Sequence, residues 1–540
     1  MRLRDYQITC HDKVLEAWRS HVSALVVMPT GTGKTVLFAH VIKSRQPGRT
    51  MVLAHREELI WQARDKIVRA TGLSCGVEMA DMIAATNLFG RDEVVISTIQ
   101  TQCSGGDKKR MERFDPFTFT TLIVDEGHHS PSPSYRSVLA WYRKNPELRV
   151  LGVTATPDRA DQLALGEIFE TVAFEYGMID AINSGWLVNI AQHFAVVSGL
   201  DFSHLHTLAG DFNNGELKAL MEIEENIQGV CQPTLEVMYG LDKDALAAMK
   251  PPEWGAYLRG LNVIPRRTIV FTASVAQAEA CCNIFNRAVP GCAKWVCGET
   301  PKEKRRELLQ EFATGKLSLV ANCGVLTEGF DDPGVEIISM ARPTKSRSLY
   351  AQMVGRATRP LPGLVDGLPT ASERMAAIKA SPKPFCRILD FVGNSGRHRL
   401  ITCADILGGK SSPEAIQRAV EKTIAEGKPK LVLTTLSNAE KKIAEERQKA
   451  KEDAERQEEA RKAALVAKSK FSMYEVDPFN GHGEKSSLSK DGHWQRPVSE
   501  KQKNVLRKAG YDPDKFHPNQ IRAMVGRIIA GWNAKKDKAA

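Results

Sequence analysis

The sequence predicts an α/β protein built from two tandem parallel-sheet domains, with a helical insertion between them and a mostly helical C-terminal extension. Three observations predict it. Over residues 1–175, short apolar runs alternate with helix-like stretches, the rhythm of strands joined by crossover helices. The same rhythm returns from Arg267 to about residue 410. The chain has 540 residues, far more than one hydrophobic core usually organises, so about two to four domains are expected.

In the first domain, 1–175, the candidate strands are Ala24–Met28, Thr50–Ala54, Val94–Ser97, Thr121–Val124 and Val150–Val153. Residues 176–265 lose the rhythm and read as a mostly helical connector or insertion, with a polar patch around Asp211–Gly215. The second domain, 266–410, carries Thr268–Thr272, Lys294–Cys297, Leu317–Ala321, Val335–Met340 and a last apolar run, Cys386–Val392. Residues 411–470 read as a charged helical linker. Within it, Asn438–Lys468 consist mainly of Glu, Lys, Arg, Gln and Ala. As a helix they would span about 46 Å and, polar nearly all round, would face solvent rather than a core. Residues 471–496, rich in Gly, Ser and His, read as a flexible linker. In 497–540 periodicity returns through Val498, Val505, Leu506, Ile521, Met524, Val525, Ile528, Ile529 and Trp532, which predicts a small basic helical module.

The composition is that of an ordinary globular protein, 42% hydrophobic and 26% charged. No apolar run approaches the roughly 20 residues of a spanning helix. The start, MRLRDYQITCHDK, lacks the apolar stretch of a secretory signal. A membrane role is therefore not expected. The eleven cysteines are scattered and form no C-x2-C pair, which argues against a zinc ribbon. Their odd number, without a signal, fits a reducing cytoplasm. The net charge of +10 favours a polyanionic partner such as nucleic acid.

The chemistry is densest at Met28-Pro29-Thr30-Gly31-Thr32-Gly33-Lys34-Thr35, which follows an apolar strand and opens a helix. That is the context of a phosphate-binding loop. Gly31 and Gly33 let the backbone curl so that amide groups of the loop, Thr32 among them, converge on phosphate oxygens. The helix N-terminus favours the anion. Lys34 supplies a point charge, and Thr35 can ligate Mg2+. The strict pattern has glycine at the position of Met28. Further on, Thr121–Val124 deliver Asp125 and Glu126 at a strand end. Asp125 can hold Mg2+, and Glu126 can orient and deprotonate an attacking water. These residues predict ATP and Mg2+ as the cofactors.

Asp125-Glu126-Gly127-His128-His129 resembles the DEAD/DEAH box of superfamily 2 helicases, with Gly127 where alanine is usual. Other motifs fall in that family's order. Leu3-Arg4-Asp5-Tyr6-Gln7 resembles the upstream glutamine motif, in which Gln7 would read adenine. Ala54–Leu59 and Ser97–Thr101 resemble segments that face the nucleic-acid backbone. Thr154-Ala155-Thr156-Pro157 resembles the motif that links the ATP site to the nucleic-acid side. Thr268–Ser274 resembles motif IV. Val325–Asp331 resembles motif V, in which Gly329 allows close backbone approach and Asp331 would bind ribose. Gln352–Arg359 resembles motif VI, with Gln352 where many relatives have histidine. Arg356 and Arg359 would act there as arginine fingers, on one face if helical.

The resemblance covers about residues 1–400 and implies two RecA-like domains that clamp one nucleotide between them. The wording LAHREEL, TEGFDDP and QMVGRATRP is similar to bacterial and phage members, close to the motors of type III restriction enzymes and repair helicases. It implies an ATP-dependent DNA helicase, a nucleoside triphosphatase that moves on or unwinds DNA. The alternatives are a double-strand DNA translocase, the motor subunit of a restriction system, or an RNA helicase. A scaffold with an inactive ATP site is disfavoured by the intact Lys34, Thr35, Asp125, Glu126, Arg356 and Arg359. The C-terminal extension is a candidate site for a protein partner or for DNA.

Overall fold

The computed structural model describes residues 2–54, 57–85, 91–105, 108–155, 165–208, 210–242, 244–327, 329–394, 400–407, 411–426, 430–468 and 497–536. The flexible linker expected at 471–496 lies outside these residues, as do His55, Arg56, Thr156 and Pro157 of two sequence motifs.

The first sheet contains β1 (Ser23–Val27), β2 (Arg49–Ala54), β3 (Cys75–Glu78), β4 (Val94–Thr98), β5 (Phe119–Asp125), β6 (Arg149–Thr154) and β7 (Thr171–Glu175). Their order is β3-β4-β2-β5-β6-β1-β7, and every pairing is parallel. Helices cover both faces, so β1, β2 and β4 are buried along their whole length. This explains why these strands read as unbroken apolar runs rather than alternating ones. The edge strands β3 and β7 are short and only partly buried.

The second sheet contains β8 (Asn189–Asp201), β11 (Thr268–Phe271), β12 (Ala293–Val296), β13 (Leu319–Asn322), β14 (Ile337–Met340), β15 (Phe385–Asn394) and β16 (Lys430–Leu431), in the order β12-β13-β11-β14-β15-β8-β16. All pairings are parallel except that of the edge strand β16. Between β8 and β11 lie a two-stranded hairpin, β9 (Thr207–Leu208) and β10 (Asp211–Phe212), and three helices, Asn214–Met221, Glu224–Tyr239 and Pro251–Gly260.

The region 176–265 opens with the helix Met178–Asn183 but is not helical throughout. It delivers the 13-residue strand β8, which lies against β15. Only two residues of β16 pair with its other edge. That open edge tolerates the exposed Val196, Ser198 and Gly199 in a strand without a clean period. The polar patch at Asp211–Gly215 docks on the loop after β14. Asp211 accepts bonds there from Lys345 N (2.7 Å) and Thr344 Oγ1 (2.8 Å).

The charged stretch forms one helix, Val432–Lys468. Val432, Leu436, Ala439 and Ile443 on its first turns are buried in the core shared with the two sheets, so only its later part matches the solvated helix expected. The described residues from Asp453 onward form a separate compact unit. In it the helices Glu500–Lys508 and Pro518–Lys536 close around Leu506, Ile521 and Val525. Ile529 and Trp532, counted in its apolar periodicity, are exposed. Among the described residues, no helix is long and apolar enough to cross a membrane, and no cluster of His, Cys, Asp or Glu could hold a metal ion by itself.

Candidate nucleotide site at the seam of the two sheets

β1 runs directly into the glycine loop. Met28 N donates to Thr154 O of β6 at 2.9 Å, which fixes where the loop begins. Gly31 and Gly33 take φ values of +91° and +79°, a region that side chains disfavour. Gly33 is also the N-cap of the helix Lys34–Ser44. Val36 N donates to Gly33 O at 3.0 Å, and the amides of Lys34 and Thr35 ahead of it, at the helix N-terminus, suit an anion. Thr32 is fully buried, and its Oγ1 donates to Pro29 O at 2.6 Å, shaping the curl. Thr35 stands in the first helical turn, half-buried.

Gln7, expected at an adenine, is engaged with the loop itself. Its Oε1 accepts from Arg4 N at 2.9 Å, and its Nε2 donates to Thr32 O at 2.9 Å and Gly33 O at 3.3 Å. Tyr6, which sequence reasoning passed over, donates to Thr32 O at 2.7 Å. Its ring stacks on Tyr176 at 4.5 Å. Trp186 meets the edge of Tyr6 and lies between two guanidinium groups, Arg4 at 4.3 Å and Arg374 at 4.1 Å. Arg4 also pairs with Asp366 at 3.2 Å. These contacts join the start of the chain to the region after the arginine motif, and no local pattern announces them.

β5 ends in Asp125, and Glu126 follows in the left-handed region with φ 52°. Both are buried. Lys34 Nζ lies 3.3 Å from Glu126 Oε1. Among the described residues, Glu126 Oε2 is buried and accepts no hydrogen bond, though His128 Nδ1 stands 3.4 Å away. His128 Nδ1 is bonded to Thr154 Oγ1 at 3.0 Å, which ties the carboxylate turn to the end of β6. A methyl on Gly127 would meet its nearest neighbours at 3.4 Å, an ordinary contact.

The opposite wall comes from the second sheet. The helix Arg347–Val354 ends at Gly355, which packs on Thr30 of the loop. Arg359 lies over Gly31: a methyl there would sit 3.1 Å from its Cγ and 3.2 Å from its Nε. Burial and the repulsion of Arg4 pull the Arg359 guanidinium down to about 10, so it stays charged at neutral pH. It is paired with Asp331, the residue expected at ribose.

Arg356, expected as a second finger, points elsewhere. It is buried and donates to Thr327 O through Nε (3.2 Å) and Nη2 (2.6 Å), and to Phe330 O through Nη1. Gly329 accepts from Gln62 Nε2 of the first domain at 2.9 Å. One turn further along the helix Glu57–Thr71 is Lys66. Its ammonium is lowered by burial and then by Arg359, while Asp125 opposes the shift. Lys66 thus belongs to the same electrostatic site, although the sequence did not single it out.

The other motif residues are tied up locally. Ser97, Thr98, Thr101 and Gln102 satisfy one another and Glu78 O, and Ser274 caps the helix Val275–Ala288. Two observations fit a nucleotide and its Mg2+: the positive-φ curl ahead of the helix N-terminus, and the buried Glu126 Oε2, which has no hydrogen-bond donor among the described residues.

Residues 1–159 match the family model described as type III restriction enzyme, res subunit, and residues 256–360 match the helicase conserved C-terminal domain. The chain is similar to the yeast protein named "Putative ATP-dependent helicase IRC3" of Saccharomyces cerevisiae, 28% identical over 407 residues, 73% of this chain and 52% of that one. It is also similar to the "DNA 3'-5' translocase XPB2" of Sulfurisphaera tokodaii, 23% identical over 383 residues, 66% of this chain and 79% of that one. The "Putative DNA 3'-5' helicase Rad25" of Haloarcula marismortui is 26% identical over 364 residues, 67% of this chain and 51% of that one. The chain spans about half the length of several of these relatives, including the yeast protein. In two separate regions, and in this order, the chain is therefore similar to the type III restriction enzyme res subunit and to the helicase conserved C-terminal domain, and relatives named as ATP-dependent helicases share that likeness.

Proposed function

We propose that the chain is an ATP-dependent nucleic-acid motor that hydrolyses ATP to move along or unwind DNA. The observation that carries this reading is Arg359 of the second domain lying over Gly31 of the first domain's glycine loop. A cation supplied across a domain seam reaches the γ-phosphate only when the domains are closed, so hydrolysis and movement are coupled.

The amides after Gly33, with Lys34, would hold the phosphates. Thr35 and Asp125 would hold Mg2+, which supplies charge neutralisation between the phosphate oxygens. Glu126 Oε2, buried without a hydrogen-bond donor among the described residues, is the base for the attacking water. Arg359 is the finger, and Arg356 in this arrangement holds Thr327 O and Phe330 O. Gln7 and Tyr6 set the loop's shape.

DNA is preferred over RNA because relatives named for DNA unwinding and translocation align with 67% and 66% of the chain. A duplex translocase or restriction motor is the second reading, favoured by the match of residues 1–159 to the restriction subunit. The eleven cysteines are all free, which fits a reducing compartment such as the cytoplasm. The deciding experiment is ATP hydrolysis with single-stranded, duplex and forked DNA and with RNA, alongside strand displacement. Stimulation by DNA is expected, and hydrolysis that no nucleic acid stimulates would overturn the reading.

A further inference from the structure

Lys383 lies two residues before β15 and is 2% exposed. Its Nζ donates to Arg359 O and to Pro333 O, each at 2.7 Å. Pro333 follows the segment that carries Asp331, the partner of the Arg359 guanidinium. The same segment is held from below by Arg267, whose Nη1 donates to Asp332 Oδ2 at 2.7 Å. A second anchor, Asp332 Oδ1, accepts from Gly334 N at 2.8 Å.

Burying an ammonium is expensive unless it is hydrogen-bonded, and an apolar side chain of the same length would fill the space at less cost. Stability alone is therefore a poor reason for a lysine here. What the ammonium does that an alkyl chain cannot is bind two main-chain carbonyls at once, one of them belonging to the arginine at the seam.

We propose that Lys383 is a positioning residue for hydrolysis: by tying Arg359 O to Pro333 O it sets where the Arg359 guanidinium stands over the glycine loop. This rests on the reading of Arg359 as the finger. The tie acts on the main chain and does not occupy the guanidinium, whose partner is Asp331. Preorganisation of this kind matters because a displacement of about 1 Å can cost on the order of 10²-fold in rate.

The tie is sensitive to pH. Burial pulls the Lys383 ammonium down to about 8, with Cys386, Glu336 and Asp332 opposing the shift and Arg267 adding to it. The neutral amine keeps two N–H donors but loses the charge that strengthens both bonds. The hold on Arg359 therefore loosens as pH rises through about 8.

The test is steady-state ATP hydrolysis by the full chain at saturating DNA, from about pH 7 to about pH 9.5. Wild type, Lys383→Met, Arg359→Ala and the double variant are compared, with thermal unfolding in parallel. In Lys383→Met, kcat is expected to fall on the order of 10²-fold with the KM for ATP little changed. The wild-type fall above about pH 8 is expected to disappear in that variant. On the Arg359→Ala background, Lys383→Met is expected to add no further loss, whereas a purely structural lysine would multiply the defect. A wild-type rate in Lys383→Met, or a multiplied loss in the double variant, would overturn the inference. If Lys383→Met does not fold, the wild-type profile decides, and a level kcat through pH 8 to 9 overturns it. Normal hydrolysis by Arg359→Ala would instead sink the finger reading, so the two failures are distinguishable.

Discussion

Gly355 of the second domain touches Thr30 of the first: a methyl on Gly355 would come within 2.8 Å of Thr30 Cβ. Gly355 has an ordinary right-handed conformation with φ −57°, so alanine carries no local strain there and acts only by its bulk. Gly355→Ala is expected to wedge the arginine turn off the loop and lower kcat about tenfold or more. The unfolding midpoint should stay level or rise slightly, because alanine suits a helix end better than glycine. Hydrolysis and thermal unfolding together check this.

Lys34 and Glu126 should separate by function although they are paired at 3.3 Å. Lys34→Ala is expected to abolish turnover by weakening nucleotide binding. Glu126→Gln is expected to keep nucleotide affinity and lose hydrolysis by about 10²-fold or more, the usual scale for a general base. Fluorescent-nucleotide titration beside a phosphate-release assay distinguishes the two.

The arginines of the seam should differ in what they cost. Arg359→Ala is expected to lower hydrolysis by about 10³-fold with ATP binding and fold intact. Arg356→Ala removes the donors to Thr327 O and Phe330 O and leaves buried carbonyls unpaired. It should therefore also destabilise the chain, by about 1–3 kcal/mol. Chemical denaturation measures the difference, and equal stability of the two variants would contradict it.

Gly127 is expected to tolerate alanine, since the added carbon meets only contacts of 3.4 Å and longer. Hydrolysis by Gly127→Ala should stay within about twofold of wild type, since the added methyl neither overpacks the site nor leaves a cavity.

Asp390 should make stability depend on pH. It is buried where Gln192 Nε2 (2.6 Å) and Tyr350 Oη (2.8 Å) donate to it, and burial pushes its carboxyl up to about 7. Between the ordinary carboxylate range and about pH 7 the folded chain binds more protons here than the unfolded chain. This contribution is therefore full in acid and is lost as pH rises through that window. Asp390→Asn has no proton to lose. Its unfolding midpoint relative to wild type should improve from about pH 5 to about pH 8.

Legibility followed locality. β1, β2, β4, β5 and β6 are central and buried on both faces, so each shows as an apolar run, and the chemistry hangs from their ends at Met28, Thr98, Asp125 and Thr154. β3 and β7 escaped notice because edge strands are short and half-exposed. β8 escaped because its pairing partner, β15, lies almost 200 residues away in the chain. Within the site, Lys34, Asp125 and Glu126 are readable because their spacing is local. Lys383 could not be read, for a single lysine ahead of a strand looks like surface until the fold brings Arg359 O and Pro333 O to it. Arg356 and Arg359 look equivalent in sequence, and only their three-dimensional surroundings separate a guanidinium that braces Thr327 O and Phe330 O from one that overlies Gly31.

Trp186, flanked by Arg4 from one domain and Arg374 from the other, has an optical consequence. Its indole emission depends on both guanidinium groups staying in place, so parting of the domains would change its colour and intensity without any attached dye. In a chain whose other tryptophans are replaced by phenylalanine, that signal would report each opening and closing in real time.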